Sequence, residues 1–328
     1  MQFFYHKESD YDQVWTEEFF KELSLQDNSQ TNDVGVHYGT SLFFRPDFEK
    51  ILNKNLKNIF LVHGGLTFFL DKNINIYLDK LRNFDLIIVN ELIAKEYFEL
   101  INFNNVFFIG HGLPTNSDRY KCDCKSCYEN KSIDFIFSGY VHHSDHLRYL
   151  ELIKDYNHIY TSYSLSKKKY LKNFFLFSRL NKKFSLTQDN LMAIQHKTKS
   201  SICSNLLYFN DNDNKNFLKL KNIEYLKDYD FIVKNNIAPN WKGRLFELAI
   251  TKTLMLVKFD VWNIIETEFD FVPNKEFIYF HNLEELKILM KDVKENFENY
   301  IPIIENAFLK IQKYNSKNYY DKIIKLSI

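Results

Sequence analysis

At 328 residues the chain is too long for one ordinary hydrophobic core and suits two domains of common size. Hydrophobic residues at 45% and charged residues at 26% exclude a disordered chain, and from a net charge of +1 no general attraction to nucleic acid or to an anionic membrane follows. No apolar run approaches the ~18 residues that span a bilayer and no secretory-type apolar region opens the sequence, so a cytoplasmic location is the expectation. Aromatics at 17%, with abundant Asn, Lys and Ile, are read as a coding bias of the source rather than a mark of mechanism.

The first half alternates short apolar runs with helical patterns. Gln2-Phe3-Phe4-Tyr5-His6 reads as a strand, and 12–23 as an amphipathic helix with Trp15, Phe19 and Leu23 on one face. A second strand is expected over 34–38, followed by a helix over 47–56 behind Pro46. Asn58 to Val62 is a buried strand running into His63-Gly64-Gly65, where the glycines permit a sharp turn. Asp85 to Asn90 gives a fourth strand, 91–101 a helix, and 105–109 a fifth strand closed by Gly110-His111-Gly112. Such alternation predicts a parallel sheet covered on both faces, a Rossmann-like first domain over 1–116.

The polar stretch 117–131 reads as a linker or insertion. It holds Cys122, Cys124 and Cys127, too few for a zinc site without a further ligand such as His111 or Cys203; no metal is assigned. A second Rossmann-like domain is expected over 132–315. It opens with the strand Ile133 to Ser138, the turn Gly139-Tyr140, and a helix over 147–155 capped by Ser144 or Asp145. Strands are expected over 158–162, 199–207 and 231–233, and helices over 187–196, 283–296 and 301–314, with a last helix over 318–328. The Lys167-Lys168-Lys169 run, with Lys172, Arg179, Lys182 and Lys183 after it, reads as a solvated face. The readings weighed against it are a nucleic-acid site, for which no stable binding is expected, and a peripheral membrane contact.

Several side chains carry candidate chemistry. His63 ends a strand and titrates in the range a general base needs, and His6 occupies the corresponding end of the first strand. Backbone amides around Ser138, Gly139 and Tyr140 could meet a phosphate. His142, His143 and His146 lack a spaced acidic or cysteine partner that would make them a metal site. Asn240 and Lys242 share a polar loop that opens a short helix with Arg244-Leu245-Phe246-Glu247. Arg244 and Glu247 lie three apart, on neighbouring helix faces, a pairing that suits a diphosphate beside a ribose. The plain alternative is a surface ion pair. No dinucleotide fingerprint, Walker loop, nucleophile elbow or zinc-protease helix is present.

The run from Arg244-Leu245-Phe246-Glu247 through Leu254-Met255-Leu256-Val257 to Asn274-Lys275-Glu276-Phe277-Ile278-Tyr279-Phe280 resembles the carboxyl-terminal domain of two-Rossmann (GT-B) glycosyltransferases, of the group-1-like and CgeB-like families. The resemblance implies two Rossmann-like domains facing across a cleft and a tail over 316–328 crossing back to the first. It places Arg244 near the donor phosphates and Glu247 on the donor ribose, with no cofactor beyond a nucleotide-sugar substrate. Two departures stand out. Pro239 occupies the position of a second glutamate associated with retaining enzymes, and the usual glycine turn reads Ile250-Thr251-Lys252. The implied activity is metal-independent transfer of a sugar to a glycan, lipid-linked, protein or modified-DNA acceptor; retention goes with the family's familiar pattern, and with Pro239 in place of its second glutamate retention and inversion both stay open. The alternatives are a non-catalytic GT-B-like binding or scaffold protein with a degraded donor site, and a nucleotide-sugar epimerase.

Overall fold

The computed structural model describes residues 2–6, 14–25, 33–52, 54–62, 68–69, 71–110, 112, 127–139, 141, 143–162, 171–208, 221–226, 232, 234–240 and 243–327. The chain forms two compact units. One comprises Met1–Asn116, Phe209–Trp241 and Tyr314–Ile328; the other comprises Ser117–Tyr208 and Lys242–Lys313. Among the described residues no helix is long and apolar enough to cross a membrane.

The first unit is built on five parallel strands, β1 (Gln2–Tyr5), β2 (Val34–Tyr38), β3 (Lys57–Val62), β4 (Leu86–Val89) and β5 (Val106–Phe108), lying in chain order across the sheet. Alternate residues of a strand face opposite sides, and here both sides are apolar. Ile59 and Leu61 join Val36, Ile88, Phe19 and Leu23 in one cluster, while Phe60 packs between Phe43 and Phe84 at 4.8 and 5.1 Å between ring centres. Burial on both faces is what a parallel sheet demands. Phe19 and Leu23, four apart, are the inner stripe of the helix Val14–Leu25. The helix Ser316–Ser327 adds Tyr319 and Ile323 to the same cluster, with Ser316 donating to Glu22 at 2.7 Å and the Lys57 ammonium bonding the Ser327 carbonyl at 2.9 Å. The helix expected over 47–56 covers only Phe48–Ile51, because the asparagines and lysines that follow offer it no second apolar turn.

The second unit holds β6 (Ile133–Ser138), β7 (His158–Ser162), β8 (Lys182–Phe184), β9 (Thr198–Cys203) and the short β10 (Leu206–Tyr208). After β11 (Ile237–Pro239), which belongs to the first unit, come β12 (Leu254–Lys258) and β13 (Ile278–Phe280). Ile232 of the strand expected over 231–233 is helical instead, and the extended segment falls at β11. The sheet runs β13-β12-β9-β6-β7-β8, all parallel. Its core gathers Phe135, Phe137, Tyr149, Leu150, Tyr160, Phe177, Leu256 and Met290. Each such side chain contributes about 1.5–3 kcal/mol of burial, an upper figure because the unfolded chain already hides some surface.

The strand order decides where a ligand can go. From β6 the chain winds outward through β7 and β8, then returns to the other side of β6 and continues through β9, β12 and β13. The winding reverses between β6 and β9. In a parallel α/β sheet such a reversal sends the two flanking connections apart and opens a crevice beyond the carboxyl ends of those two strands.

Candidate functional site

A cavity of about 260 Å³ occupies that crevice. Its floor is made where β6 ends at Ser138 and Gly139 and where β9 ends at Cys203. The strand expected over 199–207 is broken: β9 stops at Cys203, and Ser204 and Asn205 form an unpaired step before β10. Short polar side chains favour such a step because they compete with the backbone ladder for hydrogen bonds. The break directs the chain from 204 to 208 along the cavity wall.

Asn205 is fully buried, and neither its amide nitrogen nor its amide oxygen has a hydrogen-bond partner. A buried carboxamide normally satisfies both; lining the cavity, this one presents both groups to whatever fills it. The Ser138 hydroxyl is likewise buried and unpartnered.

Arg244 opens the helix Arg244–Ile250 and is the one Lys or Arg among the described lining residues. Its Nη1 donates to the Ser138 carbonyl at the end of β6, and its Nε is buried without a partner. Gly139 makes this placement possible. Its φ is +139°, and a Cβ there would stand 3.2 Å from Arg244 Nη1. The Gly139 N–H itself donates to the Thr161 carbonyl at 2.9 Å. With the Gly139 amide so engaged, the glycine's structural contribution is the room it leaves for a guanidinium.

The remaining wall is aromatic. His146 is buried with its ring 5.7 Å from Phe137 and edge-on to Tyr208 at 5.1 Å. His143 stacks on Tyr208 at 4.2 Å, and its Nδ1, not the side chain of Ser144 or Asp145, caps the helix Ser144–Ile153 by accepting from the Asp145 amide at 3.3 Å. Burial, with Asp145 nearby, pushes the Tyr208 hydroxyl up to about 12, so it stays neutral. Burial likewise pushes the Cys203 thiol up to about 11, which makes it an inert wall rather than a nucleophile.

Glu247 is placed otherwise. It is 9% exposed, does not line the cavity, and accepts from Gln188 Nε2 at 3.0 Å and Gln195 Nε2 at 3.5 Å. Among the described residues it forms no ion pair with Arg244, so the surface-pair alternative does not describe these two side chains. Asn240 follows β11 in the first unit. His63, Tyr140 and Lys242 lie outside the described residues, as do His111, His142, Cys122 and Cys124. Cys127 is buried and disulfide-bonded rather than a free thiol. Among the described residues no group of three or more His, Cys, Asp or Glu side chains is arranged to hold a metal ion.

His6 follows β1 in the first unit and belongs to a relay that the sequence does not show. Its Nε2 lies 3.4 Å from His37 Nδ1, and His37 Nε2 lies 3.2 Å from Asn58 Oδ1. Asn58 Nδ2 donates to the Leu56 carbonyl at 3.0 Å, which orients the amide with its oxygen toward His37. His37 therefore carries its proton on Nε2 and accepts from His6 on Nδ1. Burial holds His37 down at about 4 and, with Arg45 adding, lowers His6 as well, so both rings stay neutral near pH 7.

Sequence reasoning missed Asn205, Tyr208 and His37. For the first two the available signal was the polar Ser204-Asn205 pair directly after a buried strand; for His37, a histidine inside an otherwise apolar strand.

Comparison with known proteins bears on the fold. No protein-family model matches the sequence and no curated protein is significantly similar to it. Solved structures do match. Anabaena HepE in complex with UDP-glucose superposes with a TM-score of 0.61 at 11% identity, over 99% of this chain and 98% of that one. TarM gives 0.58 at 13%, over 93% of this chain, which spans 57% of TarM. A glycosyltransferase from Rickettsia africae gives 0.55 at 12%, over 98% and 83%. These neighbours are GT-B glycosyltransferases, and the two α/β units of this chain have that fold.

Proposed function

We propose that this protein is a glycosyltransferase that moves a sugar from a nucleotide-sugar donor to an acceptor hydroxyl, with the donor diphosphate held in the cavity between β6 and β9. The observation that supports this reading most directly is the position of Arg244: its guanidinium is anchored at the switch point of the sheet with Nε still unpaired. Glycosyl transfer needs a clamp on the leaving nucleoside diphosphate and a cation to meet its growing charge. A guanidinium supplies both through a planar fork of donors, and no metal is invoked. Asn205 offers one donor and one acceptor to the donor molecule, and the aromatic wall of His146 and Tyr208 offers faces against which a flat ring can stack.

Glu247 is assigned to the donor ribose by resemblance, with Gln188 and Gln195 orienting its carboxylate. Lys242 and Tyr140 complete the assigned donor set, with Asn240 from the loop before Lys242. His63 or His6 is the proposed base on the acceptor hydroxyl, His6 being supported by the relay that keeps it neutral. The HepE structures contain UDP, UDP and glucose, or UDP-glucose, and an S. aureus TarM structure contains UDP with fondaparinux and alpha-GlcNAc-glycerol. By that likeness we read the donor as a UDP-sugar and the acceptor as a glycan or a sugar-bearing polyol. Retention or inversion is read from the anomeric proton coupling of the product.

Thermal unfolding with UDP-, GDP-, ADP- and CMP-sugars, together with assays of slow nucleotide release, tests the reading. One nucleotide class should raise the melting temperature, since ligand at about 100 times its Kd adds about 2.7 kcal/mol to the folded state. If no nucleotide shifts unfolding and none is released, the protein is a binding or scaffold relative with a degraded donor site.

A further inference from the structure

The second unit carries a surface that donor binding does not use. From Tyr156 to Gln188 the sequence has no Asp or Glu, but it has Lys167, Lys168, Lys169, Lys172, Arg179, Lys182 and Lys183. The first three lie outside the described residues; the others frame the helix Phe174–Ser178 and the edge strand β8. Phe177 and Leu180, three apart, are 0% and 5% exposed and pin this segment into the core. Phe174 and Phe175 open that helix, Leu171 lies just before it across the turn at Asn173, and the three are 49%, 86% and 72% exposed. Lys172, Arg179 and Lys183 are exposed beside them. Among the described residues the acid paired with this group is Asp155, which meets Arg179 at 3.4 Å with both partners well exposed; such a pair opens at little expense.

Lysines on an edge strand have an ordinary explanation, since charge there deters pairing with another sheet. That does not account for two exposed Phe at the start of the adjoining helix and an exposed Leu just before it. Aromatic and aliphatic side chains projecting at the start of a short helix, rimmed by cations and almost free of acids, match the two demands of an interfacial anchor: apolar insertion and attraction to anionic headgroups. We propose that this face docks peripherally on an anionic lipid bilayer, with Leu171, Phe174 and Phe175 entering the headgroup boundary and Lys172, Arg179 and Lys183 meeting lipid phosphates. The inference is independent of the donor site.

The test is sedimentation of the full chain with vesicles of phosphatidylcholine alone and of phosphatidylcholine with about one third phosphatidylglycerol, at low and high salt. Binding should require phosphatidylglycerol and weaken with salt. Lys172→Glu with Lys183→Glu should weaken it by at least about fivefold per cation, and Leu171→Ser with Phe175→Ser should abolish it. All four side chains are exposed, so unfolding temperature and circular dichroism should not change. No binding to the anionic vesicles, equal binding to neutral ones, or vesicle binding indifferent to Leu171 and Phe175 would overturn the proposal. So would a preference for duplex DNA over vesicles that survives the Leu171 and Phe175 substitutions.

Discussion

Replacing Asn205 with alanine should make the empty protein more stable and its nucleotide complex less so. In the structure both amide atoms of Asn205 are buried and unpaired. Leaving one such polar atom without a partner costs about 1–3 kcal/mol, and alanine removes two. Against that stands the loss of packing around the truncated side chain, about 1 kcal/mol for two or three heavy atoms. The balance favours the variant by about 1 kcal/mol or more, a rise of about 2–4 °C in melting temperature for a unit of this size. An ordinary core truncation such as Leu150→Ala runs the other way, losing about 2–5 kcal/mol, and serves as the control. With a nucleotide-sugar present the order reverses, because the hydrogen bonds Asn205 would make to the ligand are gone and affinity drops about tenfold. Differential scanning fluorimetry with and without nucleotide measures both halves. If Asn205→Ala lowers the melting temperature of the empty protein as Leu150→Ala does, or leaves the nucleotide-induced shift unchanged, Asn205 is a packing residue and the cavity reading is wrong.

Other consequences follow from the same geometry. Gly139→Ala forces a Cβ into a backbone with φ of +139° and against Arg244 Nη1; it should cost about 1–3 kcal/mol and reduce the nucleotide-induced shift, and a variant that melts and binds like the parent would refute the packing argument. Glu247→Gln turns an amide hydrogen toward the donors of Gln188 or Gln195. Measured by titration well below the unfolding temperature, its nucleotide affinity should fall about tenfold if Glu247 holds the ribose, and an unchanged Kd removes that assignment. Burial, with Glu266 adding, raises Asp260 to about 7, while its Oδ1 accepts from the Trp262 and Ile264 amides. A carboxyl raised in the folded state gives its full stability below the unfolded value near 3.8 and loses it as pH rises through about 7. Asp260→Asn keeps the accepting oxygen, so at pH 8 it should gain about 4 kcal/mol relative to its effect at pH 4; denaturant unfolding at the two pH values decides. His37, lowered to about 4 by burial, is neutral when folded, while the unfolded chain takes up a proton below about 6.5. Its share of stability is therefore present above pH 6.5 and lost as pH falls from there toward 4, by at most about 3 kcal/mol. Nitrogen NMR of the imidazole should show no protonation at pH 5.5, and a midpoint near 6.5 would refute its burial in the relay.

The layout of the chain could be read without coordinates because its signals are local. Ile59 to Val62, Leu86 to Val89, Phe135 to Phe137 and Leu254 to Val257 are apolar on consecutive positions, the pattern of a strand buried on both faces. Arg244 was identifiable for the same reason: its helix start, its apolar neighbours and the strand after it are contiguous. The tertiary structure decided what depends on residues distant in sequence. It set the strand order that reverses between β6 and β9, and it brought Ser138, Asn205 and Arg244 around one cavity. It also turned Glu247 toward Gln188 and Gln195, an orientation that the i, i+3 spacing to Arg244 does not specify. Hydrophobic periodicity records which face of an element is buried, but not which other element covers it. Partners 106 residues apart, as Arg244 and Ser138 are, meet only once the sheet has been wound.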